Sequence, residues 1–138
     1  MSPAIGRKIV VLLLLASSLL LPGCDNFERN AYRTLKVTKV EYELLQEHVA
    51  RAYLAGRLTQ EQWDRFAVAG NRFIAAHTLA ADLMKAYQQA RRAPAGPPAP
   101  PGEDRGALEA KVSAALAELP ALLADLRVLL DSFAPPSG

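Results

Sequence analysis

The chain has 138 residues, 51% of them hydrophobic, with 16 basic and 14 acidic side chains for a formal net charge of +2. That length supports one small domain, and the near balance of charge excludes the concentrated basic excess of a nucleic-acid binder. Cys24 is the only cysteine, which excludes an intrachain disulfide.

Arg7 and Lys8 precede an apolar run over residues 9–21, interrupted only by Ala16, Ser17 and Ser18. Its 13 residues fall short of the roughly 20 that a bilayer-spanning helix needs. Its length and basic flank suit the apolar centre of an export signal instead. Leu21-Pro22-Gly23-Cys24 closes the segment, and the whole resembles the signal peptide of bacterial lipoproteins. In that family an aliphatic residue stands three before the cysteine and a small one directly before it. Leu21 and Gly23 match this pattern; Pro22 departs from it, since Ala, Ser, Thr or Val is commoner there.

The resemblance implies recognition by the signal peptidase at Leu21, Pro22 and Gly23 and cleavage before Cys24. It further implies diacylglycerol on the Cys24 sulfur and a fatty acid such as palmitate on the freed amino group. An ordinary secretory peptide leaving a free thiol, and an uncleaved anchor, are the competing readings. A lone exported thiol is a liability in an oxidising compartment, and acylation removes it. Each buried methylene contributes about 0.8 kcal/mol, so two or three chains on one residue make a lasting anchor. Asp25 resembles the inner-membrane retention signal of enteric lipoproteins. The expected location is therefore the bacterial cell envelope, facing the periplasm, with the inner membrane favoured and the outer membrane open.

Cleavage would leave residues 24–138, 115 in all, with 14 bases against 14 acids once Arg7 and Lys8 are gone. Six acids and three bases lie in residues 103–138, and 11 bases against eight acids in residues 24–102. Surface attraction between the two parts contributes little.

After a short tether over residues 24–29, Ala31, Leu35, Thr38, Tyr42, Leu45, Val49 and Ala52 step by three and four, one face of a helix. The pattern predicts a helix from about Glu28, closed at Gly56 by a left-handed cap. Thr38 and Glu41 have the spacing of a capping box, with Val37 and Tyr42 placed as a staple, which would start a separate helix at Lys39. The unslipped stripe favours one continuous helix. Only residues 56–59 follow before the next, so the two helices are expected to form an antiparallel hairpin over residues 30–92.

In residues 59–92, Trp63, Phe66, Gly70, Phe73, His77, Ala80, Met84 and Tyr87 mark a second helical face. Thr59 and Gln62 predict a capping box, and Leu58 with Trp63 a hydrophobic staple. Arg91 and Arg92 suit the negative helix C-terminus, and Pro94 follows. Residues 93–102 read APAGPPAPPG, a semi-rigid spacer. Arg91, Pro94 and Pro97 also have the spacing of a PxxP docking site, the sharper alternative.

Beyond the spacer, Leu108, Val112, Ala115, Leu119, Leu122, Leu126, Leu129 and Phe133 form a third stripe, widened by Leu116, Leu123 and Leu130. Pro120 predicts a kink, or two shorter helices meeting near Leu119. This segment, 103–133, either folds back on the hairpin or pairs with another molecule, and residues 134–138 form a loose tail. No segment reads as a strand. The expected class is all-α: a long helical hairpin plus a C-terminal helix.

No catalytic constellation is evident, and no enzyme is expected. Histidine pairs at i, i+4 or a Glu-x-x-His motif would mark a helical metal site. Instead Leu45 precedes His48 by three and Ile74 precedes His77 by three. Glu43, Glu47 and His48 read as a solvated face. Nucleophilic catalysis needs Ser or Cys beside an oriented base, and Ser113, Ser132 and Ser137 lie in a segment without histidine. Neither metal, cofactor nor nucleic acid is expected.

The layout of lipidated cysteine, NAYRTLKVTKVEYELLQ, a short turn and LTQEQWDRFAVAGNRFIAAH is similar to small helical lipoproteins of bacterial and prophage genomes. The expectation is a membrane-anchored structural or interaction protein, an adaptor or assembly partner that engages an envelope protein or itself. Leu119, Leu122, Leu126 and Leu129 are the candidate partner surface. A small-ligand module is the alternative, with an apolar molecule enclosed by Tyr42, Trp63 and Phe66. A phage-type lysis or exclusion lipoprotein is the third reading; the proline-rich stretch resembles outer-membrane spanin subunits, which are shorter and richer in proline.

Overall fold

Neither glycine nor proline occurs between Cys24 and Leu54, and nothing there interrupts a helix. In the computed structural model, which describes residues 24–92 and 104–134, α1 runs unbroken over Cys24–Leu54. Helix therefore begins four residues ahead of Glu28 and takes in the stretch 24–29 expected as a tether. Thr38 is buried inside it, and its hydroxyl donates to the Thr34 carbonyl at 2.7 Å. That bond backs onto the preceding turn and does not cap a new helix. The chain divides into two compact units, Met1–Asn30 and Ala31–Gly138. Of the first, only residues 24–30 of α1 are described, and all the packing below belongs to the second.

Gly56 ends α1 with φ +69°, the left-handed conformation that only glycine adopts at no steric cost. Arg57 N–H donates to the Ala52 carbonyl and Gly56 N–H to the Tyr53 carbonyl, both at 2.9 Å, the double bond of a Schellman cap. Three residues later the capping box forms as expected. Thr59 N–H donates to Gln62 Oε1 at 2.9 Å, and Gln62 N–H donates to Thr59 Oγ1 at 3.2 Å. It opens α2, Gln60–Arg92, with Arg91 and Arg92 in the last turn.

The third helix, α3, spans Arg105–Asp131. Its cap is Asp104, whose carboxylate accepts from Gly106 N–H at 3.4 Å. Pro120 lies within it, yet the helix is continuous, so the expected division into two shorter helices does not occur. Pro120 is exposed, off the buried row. There it removes one N–H from the ladder without disturbing the core. The proline-rich spacer 93–102 and the tail beyond Ala134 lie outside the described residues.

Pairing within the hairpin is antiparallel. Leu35 meets His77, whose Nε2 lies 3.0 Å from the Leu35 carbonyl. Tyr42 stacks on Phe73 at 4.8 Å, and Tyr53 on Trp63 at 5.0 Å. As α1 numbers rise, α2 numbers fall. Helix α3 packs along α2, and Arg65 lies over the Phe133 ring at 5.8 Å. On the other side Arg127 reaches Glu41 of α1 at 3.3 Å. The result is a three-helix bundle with no strand among the described residues. Its core is Leu35, Tyr42, Val49, Phe66, Phe73, Met84 and Tyr87 of the hairpin with Leu108, Val112, Leu119, Leu123 and Leu126 of α3. Non-directional burial of these apolar surfaces is the main stabilising term.

Candidate functional site

Leu21, Pro22 and Gly23 lie outside the described residues, and Cys24 is the first residue of α1. Of the four leucines expected to face a partner, two are buried within the bundle. Leu119 and Leu126 are 0% and 1% exposed, and Leu122 and Leu129 are half-buried. They are spent on closing α3 against the hairpin, because an apolar stripe that can reach a neighbouring helix of its own chain pays no translational entropy to do so. That packing takes Leu119 and Leu126 out of reach of a partner and leaves Leu122 and Leu129 partly covered.

The residues with chemical potential are dispersed. Glu43 pairs with Lys39 at 3.8 Å and Glu47 with Arg51, both at i, i+4 along the exposed side of α1. His48 is exposed; its two acidic neighbours are drawn to basic partners, not to the imidazole. His77 is half-buried, its ring 5.8 Å from that of Phe73. Its Nε2 is engaged by the Leu35 carbonyl at 3.0 Å. Among the described residues no three of His, Cys, Asp and Glu gather as metal ligands.

The enclosed cleft of the ligand reading is filled with side chains. Tyr42 presses on Gly70 and stacks on Phe73, Phe66 is buried, and Trp63 is covered by Tyr53. The depression beside Tyr42, about 180 Å³, opens toward Gln46, Ile74 and His77 and includes neither Trp63 nor Phe66. A larger groove of about 450 Å³ runs between α1 and α3, edged by Arg33, Val37, Glu41, Pro120 and Arg127.

Beside that groove α1 carries an apolar row that the reading of its inner face missed. Val37, Val40 and Leu44 are 47%, 47% and 61% exposed. They step by three and four, as the buried row does, but on the opposite side of the helix. The signal was present in the sequence as a second stripe out of phase with the first. The charges around it are sorted by sign. Arg33, Lys36 and Lys39 precede Val40; Glu41, Glu43 and Glu47 follow it.

Among the described residues no helix is long and apolar enough to cross a membrane. No protein family, curated protein or solved structure matches the chain.

Proposed function

We propose that the chain is a bacterial lipoprotein, held in the cell envelope by lipid on Cys24, whose helical bundle serves as a structural or interaction module facing the periplasm. The observation that carries the reading is the order Arg7-Lys8, apolar residues 9–21, then Leu21-Pro22-Gly23-Cys24. A basic flank, an apolar centre too short to span and a small residue before the only cysteine are what lipid transfer and cleavage require. With the interior filled by its own side chains, what the bundle offers a partner is its surface. The outer row of α1 is the apolar part of that surface. The filled space between Tyr42, Trp63 and Phe66 weighs against an enclosed apolar ligand.

The test is metabolic labelling of the full chain with a palmitate analogue in a Gram-negative host, followed by membrane fractionation. Wild type is expected to take up label and sediment with membranes, and Cys24→Ser to lose both label and cleavage. Unchanged mass and membrane retention in Cys24→Ser overturns the anchor.

A further inference from the structure

We propose that the outer face of α1 is a self-association surface, and that a second copy of this chain docks on it with its α1 antiparallel. The proposal gives a partner to the interaction half of the reading above and does not depend on the anchor. Its basis is the apolar row Val37, Val40 and Leu44, which the bundle leaves 47%, 47% and 61% exposed.

What selects a second copy is the charge order along the exposed side of α1. Between Arg33 and Glu47, bases at 33, 36 and 39 and acids at 41, 43 and 47 stand on opposite sides of Val40, so that stretch is self-complementary under a two-fold axis near that residue. An isologous contact of this kind places each patch on its own copy. Antiparallel docking brings Arg33 toward Glu47 of the second copy and Lys36 toward Glu43, each pair occurring twice. Parallel docking would set bases beside bases and acids beside acids, which opposite-charge recognition disfavours. Arg33 has no ion-pair partner among the described residues. Glu43 and Glu47 are held only by exposed i, i+4 pairs, which contribute little and are readily shared. The two α1 N-termini then point in opposite directions.

The experiment is sedimentation equilibrium of the full chain as recovered from cells, in density-matched detergent where it is membrane-bound, with circular dichroism to establish folding of each variant. Wild type is expected to dimerise, and Val40→Glu to weaken the dimer more than about tenfold with helicity intact. Reversing the basic half (Arg33→Glu with Lys36→Glu) or the acidic half (Glu43→Lys with Glu47→Lys) weakens it by a similar factor. All four changes in one chain restore it. A wild type that stays monomeric overturns the proposal, as does a dimer indifferent to Val40→Glu. Half-reversals without effect overturn the antiparallel orientation. A monomer that loses vesicle binding on Val40→Glu would assign the face to lipid instead, and also overturns it. Cys24→Ser is expected to leave the dimer intact; its effect on membrane retention reads out the anchor separately.

Discussion

The hydroxyl of Tyr42 occupies the space where a side chain at Gly70 would begin: a Cβ there would lie 2.7 Å from Tyr42 Oη, with two ring carbons at 3.3 and 3.4 Å. The contact joins α1 to α2 near the middle of the hairpin, and the same ring is stacked on Phe73, so Tyr42 cannot yield without disturbing a second packed pair. Gly70→Ala is expected to cost about 1–3 kcal/mol through overpacking, despite the roughly 0.5–1 kcal/mol that alanine gains over glycine within a helix. In a Tyr42→Phe background the closest contact disappears, and the cost should shrink. Chemical denaturation of the four chains in that cycle reads the coupling. Additive effects would show that Tyr42 does not set the demand for glycine.

Tyr42 also makes stability sensitive to alkali. Burial pushes its phenol above the ordinary value of 10.0, because the folded chain disfavours the phenolate. The unfolded chain then releases the proton first. The Tyr42 contribution is fully present below the unfolded value and is lost as pH rises through the higher folded one. Stability measured from pH 9 upward should therefore fall less steeply in Tyr42→Phe than in wild type. Identical slopes would show that the phenol is not shielded in the fold.

Much of this interior was legible because three segments repeat apolar residues at helical spacing without a slip. That spacing alone puts Phe66, Phe73, Met84 and Tyr87 on the buried face of α2 and Thr38 on the inner face of α1 in spite of its hydroxyl. Ends were legible where a chemical signal marked them, as at Gly56, Thr59 and Gln62. The start of α1 was not, since Asp25 and Asn26 are residue types that mark a helix start, whereas the helix already includes both. The role of Leu119 and Leu126 was not legible either, because a leucine row reads the same whether its own hairpin or another chain covers it. The outer row of α1 escaped for a related reason. One helix carries two apolar faces, and the stronger, which includes Tyr42 and Leu35, sets the apparent phase.

The turn between α1 and α2 rests on two caps that should act separately. Gly56→Ala forces a β-carbon into the left-handed region and is expected to cost about 1–2 kcal/mol, although no atom stands near enough to clash. Thr59→Ala removes the acceptor for Gln62 N–H and is expected to cost about 1 kcal/mol. Gln62→Ala in the Thr59→Ala chain should add less than it does alone, because the box works reciprocally. Urea midpoints at constant slope check all three. A full additional loss from Gln62→Ala would mean that the two bonds are independent.

Pro120 poses the reverse case, a residue that weakens the helix it sits in. It offers no N–H to the Leu116 carbonyl four residues back, and in a helix interior proline is about 3 kcal/mol less favourable than alanine. The helix passes through it because Leu119 and Leu123, on either side of it, are fully buried, and their packing outweighs one lost backbone bond. Part of the penalty is offset in the unfolded chain, where proline restricts the backbone and contributes about 0.4–1 kcal/mol. Pro120→Ala should therefore stabilise the bundle by about 1–2 kcal/mol and raise its Tm. The residue is exposed and edges the groove between α1 and α3, so the change leaves the core untouched. Thermal unfolding of the full chain reads the result. A lower Tm would mean that the ring of Pro120 packs against α1 strongly enough to outweigh the missing hydrogen bond.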